Sequence, residues 1–155
     1  GVSRNIDHIV DLVRRIATDL RPAILDDLGI TAALEQQLRR LREATGIATT
    51  LRVEEEPDLD GLTRVTLYRI AQEALANVVR HAQPTTVEVS LSVGGGTAVL
   101  QIRDNGKGIA ENDIASARSL GIVGMRERAG LLGGSVHIEG RAGTGTVVTV
   151  RLPVT

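Results

Sequence analysis

A chain of 155 residues with 42% hydrophobic content is long enough for one packed domain and short for two. Charged residues make up 24% and nearly cancel to a formal net charge of -1, which excludes a bulk electrostatic surface for nucleic acid or membrane and leaves any polyanion site local. The absence of cysteine excludes disulfides, thiolate metal sites and a Cys nucleophile, and with Tyr68 as the only aromatic there is no set of stacking platforms for single-stranded nucleic acid. No apolar run approaches the ~20 residues needed to span a bilayer, and the N-terminus lacks the basic-then-apolar layout of a signal peptide, so the sequence as given reads as soluble.

Along the chain, Ile6, Ile9, Val10, Val13, Ile16, Ala17 and Leu20 recur at helical spacing and predict an amphipathic helix over residues 3–20. Pro22 ends it, Asp26-Asp27-Leu28-Gly29 reads as a turn, and Thr31 is the expected N-cap of a second helix that presents Leu34, Leu38 and Leu41 and stops near Gly46. Ile47, Thr49, Leu51 and Val53 alternate as a strand, and Glu54-Glu55-Glu56-Pro57-Asp58 reads as a solvated acidic connection. A helix is predicted over 62–81 through Val65, Ile70, Ala74, Leu75 and Val78, with Pro84 marking its exit. Val87 to Val93 and Ala98 to Ile102 form a hairpin around Gly94-Gly95-Gly96. A short helix follows over 124–132, and Val136 and Ile138 pair with Val148, Val150 and Leu152 around Gly143-Thr144-Gly145. The expected class is α+β: a two-layer sandwich of a mainly antiparallel sheet with helices on one face, preceded by an N-terminal helix.

Four short patterns could carry chemistry. Glu73 and Asn77 lie four apart on one helix face, with Arg80 and His81 a turn further on; taken alone, this describes a polar solvent stripe at least as well as a site. Asp104-Asn105-Gly106-Lys107-Gly108 follows a strand, and its glycines let backbone approach a ligand or simply form a turn. Gly121-Ile122-Val123-Gly124 precedes a helix, where N–H groups favour phosphate oxygens, although a flexible connection would look the same. Gly143-Thr144-Gly145-Thr146 has the composition of a hairpin turn. Neither a P-loop nor a dinucleotide-type G-x-G-x-x-G occurs.

In this order, Glu73-x-x-x-Asn77, Asp104-x-Gly106-x-Gly108, Gly121-x-x-Gly124 and Gly143-Thr144-Gly145-Thr146 resemble the N, G1, G2 and G3 boxes of the Bergerat-fold ATP-binding superfamily. Gly124-Met125-Arg126-Glu127-Arg128-Ala129 with Leu132-Gly133-Gly134, and Leu20-Arg21-Pro22 with Leu25-Asp26-Asp27-Leu28-Gly29, look like the nitrate-sensor type of bacterial two-component histidine kinases. The resemblance implies residues 29–155 as the ATP-binding catalytic domain and 1–28 as part of the second helix of a dimerisation hairpin. It implies Mg²⁺ and ATP as cofactors, with Asp104 reading the adenine amino group supported by Thr146, Gly106 and Gly108 packing on the nucleotide, and Asn77 as Mg²⁺ ligand. Arg80, His81, Lys107, Gly121, Gly124, Met125, Thr144 and Gly145 complete the implied nucleotide set, the segment 110–120 being a short lid. Asn77 and Glu73 form the implied catalytic pair, Glu73 either orienting a Mg²⁺-bound water or polarising the acceptor.

The family's acceptor histidine has no match here. His8 reads as a helix-surface histidine and His137 as a strand residue, so the fragment is expected to lack the acceptor and to donate to a hairpin outside it. The implied partners are that hairpin, within a homodimer, and then a response-regulator receiver domain, with no nucleic acid. The implied location is cytoplasmic, with membrane anchoring of the full-length protein left open. Another Bergerat-fold protein, such as an anti-sigma-factor serine kinase or a gyrase-like ATPase, is disfavoured by the Leu20-Arg21-Pro22 and Gly124 to Arg128 runs. A non-catalytic regulatory module is disfavoured by the presence of all four boxes.

Overall fold

A computed structural model of the chain describes residues 23–82, 84–107, 120–141 and 144–154, the side chains at 23, 24, 26, 81, 82, 120 and 141 excepted. The helix expected over 3–20, with His8 and the Leu20-Arg21-Pro22 run, lies outside the described residues, as do Gly108, Gly143 and the expected lid up to residue 119.

Helices α1 (Ala23–Leu28) and α2 (Ile30–Thr45) are separated by Gly29 alone. The turn expected at Asp26-Asp27-Leu28-Gly29 is therefore helical through Leu28: Leu25 is only 1% exposed, and its burial outweighs the turn preference of the two aspartates. The expected cap, Thr31, sits inside the first turn of α2, where its hydroxyl is buried and has no hydrogen-bond partner among the described residues. Capping comes from across the fold. Glu56 Oε1 accepts the Ile30 N–H at 2.7 Å and Oε2 the Thr31 N–H at 3.1 Å. The acidic loop is thus more than a solvated connection, since one of its carboxylates serves a helix N-terminus that has no side-chain cap of its own. Gly29, at φ 90°, is needed twice: its backbone is left-handed, and a methyl group there would fall on the Glu56 carboxylate.

Strand β1 (Ala48–Arg52) leads through helix α3 (Gly61–Asn77) and a π-helical turn (Val78–Ala82) to β2 (Thr86–Gly94). Because β1 and β2 pair in parallel, they need a crossover, which α3 supplies. Asp60 caps α3 by accepting the Thr63 N–H at 2.7 Å, and these hydrogen bonds hold its carboxyl below the usual range. Strands β3 (Thr97–Asp104), β4 (Ser135–Arg141) and β5 (Gly145–Pro153) pair antiparallel, giving the order β1-β2-β3-β5-β4, with helix α4 (Leu120–Leu131) between β3 and β4. Val87, Val89, Leu91, Leu100, Ile102, Val148, Val150 and Leu152 point to the helices, while Glu88, Arg103, His137 and Glu139 alternate onto the uncovered face. The expected α+β two-layer sandwich is the observed one. Its core is aliphatic apart from Tyr68, whose hydroxyl donates to Gln37 Oε1 at 3.3 Å.

Two substitutions test the cross-fold cap. Glu56→Ala is expected to lower unfolding free energy by about 1–2 kcal/mol, the range for losing a helix cap, and Gly29→Ala by more than about 1 kcal/mol for its positive φ. Urea denaturation of both variants beside wild type checks this.

Candidate functional site

The first group of polar residues is on α3. From Thr66 to Arg80 every residue is buried except Arg69, Glu73, Asn77 and Arg80, which are half-buried. Their spacing puts them in one row along the helix. A stripe facing open solvent would be exposed; this one is partly closed, with Gly121 of α4 lying against Glu73. Just after Asn77 the α-helix gives way to the π-helical turn Val78–Ala82, and such π-turns are frequent at functional sites. His81 lies in this turn, its side chain outside the described set.

The second group is built by strand pairing. Asp104, the last residue of β3, sits opposite Thr146 on β5, both on the helix-covered face in phase with Ile102 and Val148. Asp104 is 5% exposed, and its carboxylate accepts the Gly106 N–H at 2.8 Å and the Thr146 N–H. Burial pushes the carboxyl above its usual range, and the two N–H groups pull it back only in part. Thr146 is 4% exposed and, among the described residues, its Oγ1 has no hydrogen-bond partner. Gly145 has φ 108°, and a Cβ there would run into the Asp104 carbonyl, so only glycine lets β5 start this close to Asp104. Gly106 is buried, whereas Lys107 and Thr144 are exposed.

Helix α4 corrects one expectation. It begins at Leu120, so Gly121 and Gly124 lie within it and not before it. Two glycines in four residues lower helix propensity by ~1 kcal/mol each, but Ile122, Met125 and Ala129 are buried in the core and hold the segment helical. The helical ladder commits the Gly124 N–H to a carbonyl four residues back, whereas the Gly121 N–H, in the first turn, has no intrahelical acceptor among the described residues. Met125, 1% exposed, is a core side chain.

One residue of the second group escapes a reading of the sequence. Asn105 Oδ1 accepts the N–H groups of Thr85 and Thr86, each at 2.9 Å, and Nδ2 donates to Thr85 Oγ1 at 2.8 Å. It ties the loop after Asp104 to the start of β2, a contact across some 20 residues that no local pattern announces. A concavity of ≈ 490 Å³ is lined by Glu88, Arg103, Asp104, Asn105, Glu139, Thr144, Gly145 and Thr146, so both members of the Asp104–Thr146 pair border it. Among the described residues no group of three His, Cys, Asp or Glu side chains could hold a metal ion, and no helix is long and apolar enough to cross a membrane.

Residues 62–155, which contain α3, the whole β2 to β5 sheet and both groups of polar residues, match the family described as histidine kinase-, DNA gyrase B- and HSP90-like ATPases. The chain belongs to this ATPase family. Within it, the chain is 34% identical over 151 residues to the oxygen sensor histidine kinase NreB of Staphylococcus carnosus (strain TM300), an alignment covering 97% of this chain and 44% of that protein. It thus spans less than half of that relative. Among solved structures, the histidine kinase domain of the Erythrobacter litoralis EL346 blue-light activated histidine kinase superposes with a TM-score of 0.69 at 22% identity, over 81% of this chain and 64% of that one. The Acinetobacter baumannii histidine kinase AdeS gives 0.67 at 14% identity, over 98% and 96%. At these identities the likeness is one of fold, and it is the ATPase-family sandwich described above.

The buried carboxylate has a measurable signature. Because the folded chain holds the Asp104 proton more tightly than the unfolded chain, this residue's contribution makes stability rise as pH falls from the raised folded value toward the ordinary 3.8. Asp104→Asn is expected to raise the melting temperature at neutral pH and to remove that part of the pH dependence, as thermal melts from neutrality into the acid range would show. Gly145→Ala is expected to cost more than about 1 kcal/mol in the same melts.

Proposed function

We propose that this chain binds Mg-ATP and presents its γ-phosphoryl to a histidine on a dimerisation hairpin, for relay to a response-regulator aspartate. The observation that carries the reading is the buried Asp104–Thr146 pair: an ionisable carboxylate and a partnerless hydroxyl, 5% and 4% exposed, inside a fold whose family is an ATPase family. Leaving such groups buried is costly unless a ligand uses them. An adenine fits, because its exocyclic amino group donates where Asp104 accepts. A guanine would set a carbonyl against the carboxylate, so ATP is preferred to GTP.

The donor set on α3 fits magnesium of one kind only. The described residues hold no carboxylate cluster that would bind the ion by themselves, but the half-buried Asn77 offers one amide oxygen. That suffices for an ion that keeps waters and takes other ligands from phosphates. Bound magnesium would neutralise charge on the phosphates. In this reading Arg80 and His81 meet phosphate oxygens, Gly121 offers a backbone N–H, and Gly106, Lys107, Gly108, Thr144 and Gly145 border the nucleotide. Gly124 and Met125 shape α4 from within. Residues 29–155 form the catalytic unit, and 1–28 belong to the hairpin, with Leu25 docked into the catalytic core. The choice of histidine as acceptor is supported by the relative whose printed name is a histidine kinase. The protein's own work is to orient the donor and to exclude water from it.

Titration with Mg-ATP is expected to show binding in the micromolar range or weaker. Asn77→Ala and Asp104→Asn should each weaken it by roughly tenfold or more, since a hydrogen bond to a charged group is worth about 1.5–3 kcal/mol. Acid-labile phosphate should then appear on a supplied hairpin carrying the acceptor histidine. Absence of ATP and ADP binding in the presence of magnesium would sink the reading.

A further inference from the structure

Glu73 and Gly121 meet in a way that the nucleotide reading alone does not require. A Cβ at Gly121 would land on the Glu73 carboxylate, with Oε1 nearest and Cδ and Cγ at 3.1 and 3.3 Å. The carboxylate therefore occupies the space that any other residue at 121 would claim. At Gly124 and Gly130, in the same helix, an added Cβ meets nothing within 4 Å. The first turn of a helix carries a partial positive charge, and among the described residues the first N–H groups of Leu120–Leu131 have no intrahelical acceptor, so a carboxylate is favoured there. Glu73 also lies one turn before Asn77 in the same half-buried row.

We infer that Glu73 is a positioning residue: its carboxylate seats the first turn of α4 against α3, and position 121 is glycine because that carboxylate fills its side-chain space. The seat sets the spacing between the Asn77 amide and the first-turn N–H groups of α4. That spacing decides whether a metal-bound phosphate can reach both, a consequence that rests on the ATP reading. The seat itself does not.

The experiment is a double-mutant cycle on Glu73→Ala and Gly121→Ala, read by thermal melting and by Mg-ATP titration, with Gly130→Ala as the helix control. An added methyl at 121 must displace the flexible end of the Glu73 side chain from its place, so both single variants disturb the same seat. Each is expected to lower the melting temperature and to weaken ATP binding by roughly tenfold. The double variant should be no worse than Glu73→Ala alone, and Gly130→Ala should melt at or above wild type. Losses that add in the double variant would overturn the inference, as would a Glu73→Ala variant that slows transfer with its ATP affinity intact. If wild type binds no ATP, the function reading fails, while the melting cycle still decides the seat. If Gly121→Ala does not fold, amide exchange at residues 120–124 in Glu73→Ala decides: faster exchange supports the seat and unchanged exchange refutes it.

Discussion

Nearly everything in this molecule depends on the burial of α3. A core without Phe or Trp has to be filled by many small aliphatic side chains, and α3 supplies Leu67, Ile70, Ala71, Ala74, Leu75 and Ala76 to it. Alanines let a helix approach a sheet closely, and packing at that range rewards contact on most of its circumference. What is left is a narrow row, Arg69, Glu73, Asn77 and Arg80. The polar residues of the helix are therefore held in a crevice by the same packing that stabilises the domain.

The second polar group is made by register. Antiparallel pairing sets Asp104 against Thr146, and the period of two along each strand points both toward the helices. A slip of one residue would turn both to the uncovered face, but it would also expose Ile102, Val148 and Val150, so the hydrophobic pattern that fixes the sheet fixes these two groups as well. Gly145 and Asn105 refine the arrangement, one by allowing close backbone approach and the other by anchoring the loop to β2.

Stability is given up at this site. A buried carboxylate, a hydroxyl without a partner and a left-handed glycine each cost folding free energy, and they cluster within a few ångströms of strand pairing. At the starts of α2 and α3 the orphan N–H groups are met by Glu56 and Asp60, although the Thr31 hydroxyl there, like that of Thr146, is buried without a partner among the described residues.

By itself the sequence determined the types of the described elements from Ile30 onward, the two-layer class, the hairpins and the order of the Glu73–Asn77, Asp104–Gly108, Gly121–Gly124 and Gly143–Thr146 patterns, because periodicity and turn composition act over short range. It could not say whether Glu73 and Asn77 faced solvent or a crevice, since that depends on what α4 and the sheet bring to them. Tertiary structure decided this, and it drew the glycine-bearing start of α4 into the helix, where burial of Ile122 and Met125 overrode local propensity. It also decided the cap of α2, the anchor at Asn105 and the meeting of Glu73 with Gly121. These contacts join residues about 20 to 48 positions apart, and side-chain reach across such separations is settled only when the core has packed.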